Sequence, residues 1–307
     1  MISVIIVNWN SGDQLRSCID SIIKYSCELV SEIVVVDNGS MDGSDVGFED
    51  VKNLNLVRSS TNLGFGKACN LGALNVSGKY ILFLNPDAAI YVDTLQRTIA
   101  FMEDVANSNV GICGVQLLHE NGKISRSCAR FPTVANFCIG AIGLERLLPS
   151  LGHHMREWNH AQDQVVDHVI GAFFMVRREV FDAVSGFDER FFLYLEDLDF
   201  SLRAKQMGWQ SFFLSDVHAF HAGGGTSKQI KSRRLFYSLR SRILYASKHF
   251  SFLGALLVSS VTVFVEPFTR SSLAVVSRSL SGLQETWSAY LMLWRWLPRW
   301  VLRGETR

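Results

Sequence analysis

The chain lacks the cysteine spacings that disulfide frameworks and zinc sites use. Its six cysteines form no C-x-x-C pair, and several lie in apolar stretches, where a free thiol behaves as a small hydrophobic side chain. We therefore expect reduced thiols and a cytosolic protein. No basic segment precedes the first apolar run, Ile2–Val7, and this run is too short for a secretory leader. It is rich in β-branched residues, so the pattern predicts a first β-strand.

The sequence also lacks the two commonest glycine-rich phosphate-binding motifs. The first apolar run ends in Asn8-Trp9-Asn10-Ser11-Gly12, which is neither a G-x-G-x-x-G fingerprint nor the basic, Gly-rich loop of a nucleotidyltransferase. The later turn Asn62-Leu63-Gly64-Phe65-Gly66 opens a predicted helix but does not end in G-K-[ST]. Dinucleotide-binding, P-loop and nucleotidyltransferase interpretations are therefore disfavoured. Gly64 and Gly66 are expected to let the backbone approach a ligand or the sheet closely.

Acidic residues are scarce at the C-terminal end. Residues 1–227 hold 17 Lys and Arg against 26 Asp and Glu, whereas residues 228–307 hold 13 against 3. The net charges are thus −9 and +10, and this shift predicts a boundary near residue 228. Such asymmetry indicates an anionic partner for the basic end, either lipid or nucleic acid. Hydrophobic residues make up 48% of the chain, enough for a sizeable core.

Apolar runs and helical patterns alternate up to residue 118. Leu15, Ile19 and Ile22, for example, recur at helical spacing between the first two runs. This alternation indicates an α/β fold with a mostly parallel sheet flanked by helices. Residues 119–165 lose the periodicity, which suits an irregular segment near a site. The predicted strands are Ile2–Val7, Ile33–Val36, Leu54–Val57 and Tyr80–Leu84, with a late one at Trp209–Leu214.

Two acidic clusters, remote from each other in the chain, follow apolar runs. Asn85-Pro86-Asp87 follows Tyr80–Leu84, and Glu196-Asp197-Leu198-Asp199 follows the aromatic run 191–195. A carboxylate at the exit of a buried strand lies at the sheet edge where open α/β sheets bind ligands. One such carboxylate can hold a divalent cation against a diphosphate, and a second can take a proton from an attacking hydroxyl. Sugar transfer from a nucleotide-sugar requires both functions.

Each of these features also has a simpler structural interpretation. The first cluster could be a turn, and the second could be N-terminal charge on a helix, which is the interpretation we favour for Asp199. Asp37 ends a predicted strand where a base or ribose could bind, whereas Asn38 suits a turn. His221 precedes three glycines, and a neutral imidazole there could complete a metal shell begun by Asp87.

Seven motifs, taken in order, resemble those of the family 2 inverting glycosyltransferases. The likeness is greatest to bacterial rhamnosyltransferase-like enzymes of cell-surface polysaccharide synthesis. It implies a GT-A fold, a nucleotide-diphosphate sugar donor, and Mg²⁺ or Mn²⁺ as cofactor. The catalytic domain would span residues 1–227, with a nucleotide-sugar half (1–118) and an acceptor half (119–227), and residues 228–307 would form a helical extension. The motifs are Val4–Asn10, Val35–Ser40, Asn62–Gly66, Leu84–Asp87, Gly171–Arg177, Phe192–Asp199 and His221–Ser227.

The resemblance also implies roles for individual residues. Asp197 would be the general base, and Glu196 would orient the acceptor or assist the base. Asp87 and His221 would bind the metal, and Asp37 would contact the nucleotide base of the donor. One departure matters, because an Asn stands at the first position of the D-x-D-type motif and leaves one anionic ligand fewer. The nucleotide-sugar-binding residues implied are Asn8, Asp37, Asn62, Gly64, Gly66 and Asn85.

The best interpretation is an inverting transferase that moves L-rhamnose from dTDP-rhamnose to a lipid-linked or polysaccharide acceptor. One alternative is a hexosyl- or galactofuranosyltransferase that uses a UDP-sugar. Another is a non-catalytic sugar-binding scaffold of the same fold, against which the intact acidic residues argue.

The C-terminal end combines basic residues with apolar stripes. Residues 228–250 carry seven basic residues and no acid, so binding to anionic lipid and packing on the catalytic domain are both open. Phe252–Val265 is apolar but only 14 residues long, short of the ~20 needed to span a membrane. The second stripe adjoins Arg295 and Arg299, as suits a membrane interface, and it comprises Leu283, Trp287, Tyr290, Leu291, Trp294 and Leu297.

These features predict a peripheral enzyme on the cytoplasmic face of the inner membrane. A homodimer through the C-terminal helices would use the same stripe. Nucleic acid is not expected as a partner, because the aromatic residues follow an apolar stripe and no nucleic-acid-binding module is present.

Overall fold

The computed structural model describes residues 1–223 and 231–306. By their contacts these residues form two units. The predicted boundary at residue 228 and the end of the seventh motif, from Gly224, lie outside the described residues. The acceptor half predicted at 119–227 differs from this division, because parts of it group with the C-terminal helices. The first unit contains residues 1–129, 159–189 and 196–223, and the second contains residues 130–158, 190–195 and 231–306.

Four parallel strands form one half of the sheet in the first unit. They are β1 (Ile2–Asn8), β2 (Val30–Asp37), β3 (Leu54–Arg58) and β4 (Tyr80–Leu84). Their spatial order is β3-β2-β1-β4, and the four strands predicted from the apolar runs are confirmed. Every residue of β1 and β4 is buried, because strands of a parallel sheet are covered by helices on both faces.

Five helices belong to the first unit. The second of them lies close to the sheet at Gly72, where a Cβ atom would stand 2.6 Å from Ile5 Cγ2. Only glycine permits that approach. All six cysteines are free. The helices are α1 (Asp13–Ser26), α2 (Phe65–Ala73), α3 (Thr94–Glu103), α5 (Arg178–Ala183) and α6 (Glu196–Gln206).

The other half of the sheet is mixed. Its main strands are β5 (Ala88–Ile90), β6 (Val110–Leu118), β11 (Phe173–Arg177) and β12 (Gln210–His221), and the shorter ones are β7 (Ile124–Ser125) and β9 (Gln164–Val166). The order continues β4-β11-β6-β12-β5, and β11 is antiparallel to both neighbours. A separate pair joins β8 (Cys128–Ala129) to β10 (His168–Val169). The parallel arrangement predicted therefore holds for β1 to β4, and antiparallel pairs enter beyond them.

Strand directions bring several segments to one edge of this sheet. Asn8 and Asp37 are register partners at the carboxyl ends of β1 and β2. Leu84, the last residue of β4, pairs with Phe173, the first residue of antiparallel β11. Because β12 runs parallel to β6, its carboxyl end reaches the same edge. This edge therefore gathers residues from both acidic clusters.

The second unit is helical. A continuous helix runs from Phe252 to Val276, including a π-helical turn at Val261–Val265. It is longer than the 14-residue apolar run suggested. Within the described residues it alone is long and apolar enough to cross a membrane, a criterion of length and composition only. The α-helices are α4 (Val134–Ala141), α7 (Lys231–His249), α8 (Phe252–Ser260), α9 (Glu266–Val276) and α10 (Leu280–Arg303).

Two basic residues of α7 are used inside the second unit. Arg240 is buried, with its guanidinium 5.2 Å from the ring centres of Phe236 and Tyr237. Arg242 forms a salt bridge with Glu266, which is buried as well. Packing and ion pairing within the second unit therefore occupy these two basic side chains.

Candidate active site

The carboxylate of Asp37 is held in place at the sheet edge. Asn8 Nδ2 donates to its Oδ1 at 2.9 Å, and the backbone N–H of Ser40 donates to its Oδ2 at 3.1 Å. Asn8 and Asp37 are both buried. Their position follows from the parallel pairing of β1 with β2, which places the two side chains side by side. The arrangement offers an oriented hydrogen-bond acceptor to a ligand at this edge.

The turn before α2 is shaped by Asn38, for which the sequence suggested only a turn. Its Oδ1 accepts from the backbone of Leu63 at 2.7 Å, and its Nδ2 donates to Asn62 Oδ1 at 3.1 Å. The same oxygen of Asn62 accepts from the backbone N–H of Gly64 at 2.9 Å. Gly64 has φ +81°, a left-handed conformation that favours glycine. Asn62 thus builds the turn.

Gly66 brings this turn to the second acidic cluster. A Cβ atom at Gly66 would lie 3.2 Å from Phe187 Cβ and 3.5 Å from Glu196 Cβ. A larger residue would press on the acidic side chain. The backbone at Gly66 thus lies close to the side chains of Phe187 and Glu196, and its approach to a ligand stays a prediction.

Glu196 is buried, with only 4% of its surface exposed. Its Oε2 has no hydrogen-bond partner among the residues that the structure describes. Burial, reinforced by the charges of Asp197 and Asp199, raises the pKa of the Glu196 carboxyl well above its ordinary value. The residue before it, Leu195, has a left-handed φ of 66°, a strained backbone conformation of the kind that occurs at functional sites. A carboxyl in such a place favours the neutral form, which can donate a hydrogen bond.

Asp197 is held differently from its neighbour. Its Oδ2 accepts from the backbone N–H of Gly171 and its Oδ1 from that of Leu198, both at 2.8 Å. Its side chain is 18% exposed, and His168 Nε2 lies 3.6 Å from Oδ2. Asp197 is therefore a positioned carboxylate that remains accessible from the solvent.

Asp199 belongs to the framework. It is fully buried, and Arg203 Nε donates to its Oδ2 at 2.8 Å. The same guanidinium donates to the backbone oxygen of Gly186 at 2.8 Å. The interpretation of Asp199 as mere helix-end charge is incomplete, because its carboxylate anchors α6 to the preceding turn.

Two hydrogen bonds, one between backbone groups and one from the backbone to a side chain, connect the two acidic clusters through neighbouring residues. The N–H of Asn85 donates to the carbonyl of Ala172 at 3.1 Å, and the next residue back, Gly171, donates to Asp197 Oδ2. The antiparallel strand β11 makes this connection, because its amino end lies beside the carboxyl end of β4. The clusters therefore converge at one edge.

Asp87 and His221 form a pair at the same edge. His221 Nε2 lies 3.3 Å from Asp87 Oδ1, and both side chains are nearly buried. The backbone N–H of Ala222 donates to the carbonyl of Asp87 at 3.0 Å. His221 Nδ1 is buried and has no hydrogen-bond partner in the described part of the chain. The strand β12, pairing with β5, brings the two residues together.

This pair fits a divalent cation that takes most of its ligands from elsewhere. In the ranges 1–223 and 231–306, no group of three or more His, Cys, Asp or Glu is placed to hold a metal ion. One carboxylate and one imidazole, one of whose nitrogens is buried and unpartnered, suit a cation completed by water and substrate phosphate oxygens.

The predicted site residues lie in three groups. One group surrounds Asp37, a second surrounds Asp197 and Glu196, and the third is the pair at Asp87. Sequence reasoning missed Asn38, His168 and Ser201. For His168 the only signal was a histidine within an apolar stretch, since its contact with Asp197 depends on the fold.

The fold is that of a GT-A glycosyltransferase, a class that uses nucleotide-sugar donors. The profile of Glycosyl transferase family 2 matches residues 3–185. The chain belongs to this family.

Two curated relatives are bacterial rhamnosyltransferases. Rhamnosyltransferase WbbL of Escherichia coli (strain K12) is 28% identical over 196 residues, which are 60% of this chain and 70% of that protein. The N-acetylglucosaminyl-diphospho-decaprenol L-rhamnosyltransferase of Mycobacterium tuberculosis is 24% identical over 271 residues, covering 81% of this chain and 85% of that protein. These similarities support glycosyltransferase activity.

The fold is similar to that of a solved archaeal enzyme. Mannosyltransferase PcManGT from Pyrobaculum calidifontis, in complex with GDP-Man and Mn²⁺, matches with a TM-score of 0.56 at 15% identity. The match covers 95% of this chain and 86% of that one. At this identity the likeness concerns the fold.

Proposed function

We propose that the protein transfers L-rhamnose from dTDP-rhamnose to a lipid-linked or polysaccharide acceptor by a single inverting displacement. The observation that carries the proposal is the link from Asn85 through Ala172 and Gly171 to Asp197, which joins the two acidic clusters at one sheet edge. The choice of sugar is supported by the two relatives named rhamnosyltransferase. A lipid-linked acceptor is supported by the name of the mycobacterial relative.

The donor would bind at the ends of β1, β2 and β4. Asp37, fixed by Asn8 and by the backbone of Ser40, would accept a hydrogen bond from an N–H of the base. The turn at Gly64 and Gly66 would let the backbone approach the donor closely. Because the carboxylate of Asp37 is already oriented, little ordering would be required on binding.

Asp87 and His221 would hold the Mg²⁺ or Mn²⁺ ion together with the donor diphosphate. When bound, such an ion stabilises the negative charge of the leaving diphosphate. Because Asn85 stands at the first position of the D-x-D-type motif, the site has one carboxylate fewer. Binding of the metal would therefore depend on the substrate phosphates. The proximity of Asp87 Oδ1 to His221 Nε2 supports the assignment.

Asp197 would act as the general base. The acceptor hydroxyl gives its proton to Asp197, its oxygen bonds to the anomeric carbon, and the electron pair of the broken bond leaves with the diphosphate. The N–H groups of Gly171 and Leu198 fix the carboxylate for this step. Glu196, kept neutral by burial, would donate a hydrogen bond that orients a sugar hydroxyl.

The test is a transfer assay on the full-length protein with dTDP-rhamnose and a short-chain lipid-diphosphate sugar. We expect product only when Mg²⁺ or Mn²⁺ is present, and loss of product with a chelator. UDP-hexoses and UDP-galactofuranose are run in parallel, and turnover with one of them would replace the proposed donor. Binding of donors without any turnover or hydrolysis would favour the sugar-binding scaffold.

We further propose that the second unit binds the cytoplasmic face of the inner membrane in the plane of the interface. The helix Phe252–Val276 leaves large apolar side chains exposed, among them Phe252 at 80%, Phe264 at 68% and Phe268 at 64%. Near its middle, Glu266 is buried and bound to Arg242 and Arg270. A charge cluster in mid-helix is costly in hydrocarbon, which supports a helix lying at the surface.

Replacing Phe252 and Phe268 by Ser should weaken flotation with vesicles that contain anionic lipid. Burying a Phe side chain contributes about 1.5–3 kcal/mol, so a loss of tenfold or more in partitioning is expected. Val105→Ser, an exposed apolar residue of the first unit, is the matched control. Concentration-dependent dimers that the double substitution abolishes, without vesicle binding by the native protein, would favour the homodimer instead.

A further inference from the structure

His168 is a buried histidine of β10 that lies against Asp197. It is 3% exposed. Its Nε2 lies 3.6 Å from Asp197 Oδ2, and its Nδ1 lies 3.1 Å from Ser201 Oγ. Ser201 Oγ in turn donates to the backbone carbonyl of Asp197 at 3.0 Å. Three side chains from two elements thus form one closed group.

The two hydrogen bonds of Ser201, taken together, indicate the tautomer of the imidazole. A carbonyl oxygen only accepts, so the single hydroxyl hydrogen of Ser201 is used on the carbonyl of Asp197. The hydroxyl oxygen must then accept from His168, which places a hydrogen on Nδ1. In the neutral ring the remaining nitrogen, Nε2, carries a lone pair, and it faces Asp197 Oδ2.

We propose that His168 is a positioning residue for Asp197, whose Nε2 accepts a hydrogen bond from Oδ2 once the carboxylate has been protonated. The inference rests on the proposed role of Asp197 as general base. The proton lost by the acceptor hydroxyl forms the O–H bond on Asp197, and that O–H then donates to His168 Nε2. Charge is conserved, because the pair gains one proton while the diphosphate leaves with the electron pair.

The surroundings keep the imidazole neutral. Burial lowers the pKa of His168, opposed by the charges of Asp197 and Asp167. Asp167 is bound by Lys205 of α6 at 2.7 Å, which offsets its charge. On the neighbouring strand β8, burial raises the pKa of the Cys128 thiol to about 12, so this group is uncharged at neutral pH. Nearby on α6, burial and the charges of Asp197 and Asp199 raise the pKa of Glu196. The backbone N–H of Cys128 donates to His160 Nε2.

A lone pair at this position favours the protonated form of Asp197 over the carboxylate. His168 is therefore placed to support Asp197 in the step in which Asp197 takes up the acceptor proton. Removing Nε2 should shift the acidic limb of the kcat/KM profile to lower pH, since that limb reports protonation of the base. If the role of His168 were purely structural, its substitution would lower activity equally at every pH.

The experiment compares His168→Asn with His168→Gln in the full-length protein. Asn keeps a polar group near the Nδ1 position, and Gln places an amide near Nε2, where its oxygen can accept from Asp197. We expect His168→Asn to lose roughly 10- to 100-fold in kcat, as is typical when a supporting partner is removed. Its donor KM should stay within about twofold, and its acidic limb should move to lower pH. His168→Gln should recover part of the kcat.

His160→Asn serves as the matched control. His160 is another buried histidine, and Asn tolerates its φ of 58°. We expect this variant to lose stability without any shift of the acidic limb. Thermal melts of all variants identify losses caused by unfolding.

Two outcomes would overturn the role proposed for His168 without affecting the role proposed for Asp197. One is an unshifted acidic limb in His168→Asn, and the other is a shift to higher pH, which would mean that Nε2–H donates to the resting carboxylate. Both are read against Asp197→Asn, which should be inactive. If Asp197→Asn keeps full activity, the proposed base is wrong and the role of His168 falls with it.

Discussion

Two carboxylates at one sheet edge, Asp37 and Asp197, are held in different ways. Asp37 is bound by Asn8 and Ser40, which lie on the adjoining strand and in its own loop. Asp197 is bound by Gly171, from a distant part of the chain, and faces His168. The first carboxylate is buried at 4% exposure, and the side chain of the second is 18% exposed.

This difference separates binding from proton transfer. A buried carboxylate whose two oxygens both accept hydrogen bonds from nearby residues is a fixed acceptor. Recognition of a nucleotide base requires such an acceptor. A carboxylate that is reached by solvent and backed by an imidazole lone pair can gain and lose a proton. Asp37 should therefore control affinity for the donor, and Asp197 should control the chemical step.

Asp197→Asn tests the chemical half of the comparison and should have the largest effect. Removing a general base lowers kcat by about 10²- to 10⁴-fold, whereas donor affinity should change little, because the substituted group contacts the acceptor. Calorimetric binding of the donor diphosphate and single-turnover rates check the two quantities separately.

Asp216→Asn is the matched control for that experiment. Asp216 is an exposed carboxylate that pairs with Arg97 at the surface, where ion pairs contribute little. It should retain nearly full activity. Normal turnover by Asp197→Asn would contradict the assignment of Asp197 as the general base. The proposed difference in function between Asp197 and Asp37 would then be wrong.

Asp37→Asn tests the binding half and should have a smaller effect. A hydrogen bond to a charged group contributes about 1.5–3 kcal/mol, so KM for the donor should rise about tenfold or more while kcat stays close to native. Steady-state kinetics at saturating acceptor give both values. Asp42→Asn is the control, because Asp42 lies in the same loop and its carboxylate accepts from Gly12 and Ser44. A fall in kcat without a change in KM would assign Asp37 to the chemical step.

The donor half of the site could be predicted from the sequence because its contacts are local. Asn8 and Asp37 end neighbouring apolar runs, and parallel pairing of consecutive strands makes their proximity a direct consequence. The strands β1 to β4 were recognisable from their apolar residues for the same reason. A turn role was predicted for Asn38, but its hydrogen bonds to Asn62 and Leu63 were not, since Asn is common in any loop.

The part of the site around Asp197 could be predicted only as a sequence motif. That Asp197 lies near Asn85 depends on β11 being inserted antiparallel between β4 and β6, and apolar content does not reveal strand direction. His168 was therefore assigned no role. In the second unit, the burial of Arg240 against aromatic rings was equally hidden, because a basic helix looks the same whether its charges are solvated or packed.

Glu196 offers a smaller contrast, with Asp197 beside it. The two residues are adjacent in the chain, but Oε2 of Glu196 has no hydrogen-bond partner in the described residues, whereas both oxygens of Asp197 accept backbone hydrogen bonds. Burial, together with the charges of Asp197 and Asp199, raises the pKa of Glu196. The folded state thus holds a proton that the unfolded state releases.

The sign of this linkage gives the last prediction. Above its ordinary pKa of 4.5, Glu196 is ionised in the unfolded chain and protonated in the folded one, so stability is lost as pH rises through that window toward the raised pKa. Glu196→Gln, which mimics the neutral carboxyl, removes this term. The free energy of unfolding of the native protein should therefore fall relative to that of the variant as the pH rises above 4.5, as measured by urea denaturation. Parallel curves for the native protein and the variant would mean that burial does not raise the pKa of Glu196 and that its carboxyl does not act as the proposed hydrogen-bond donor.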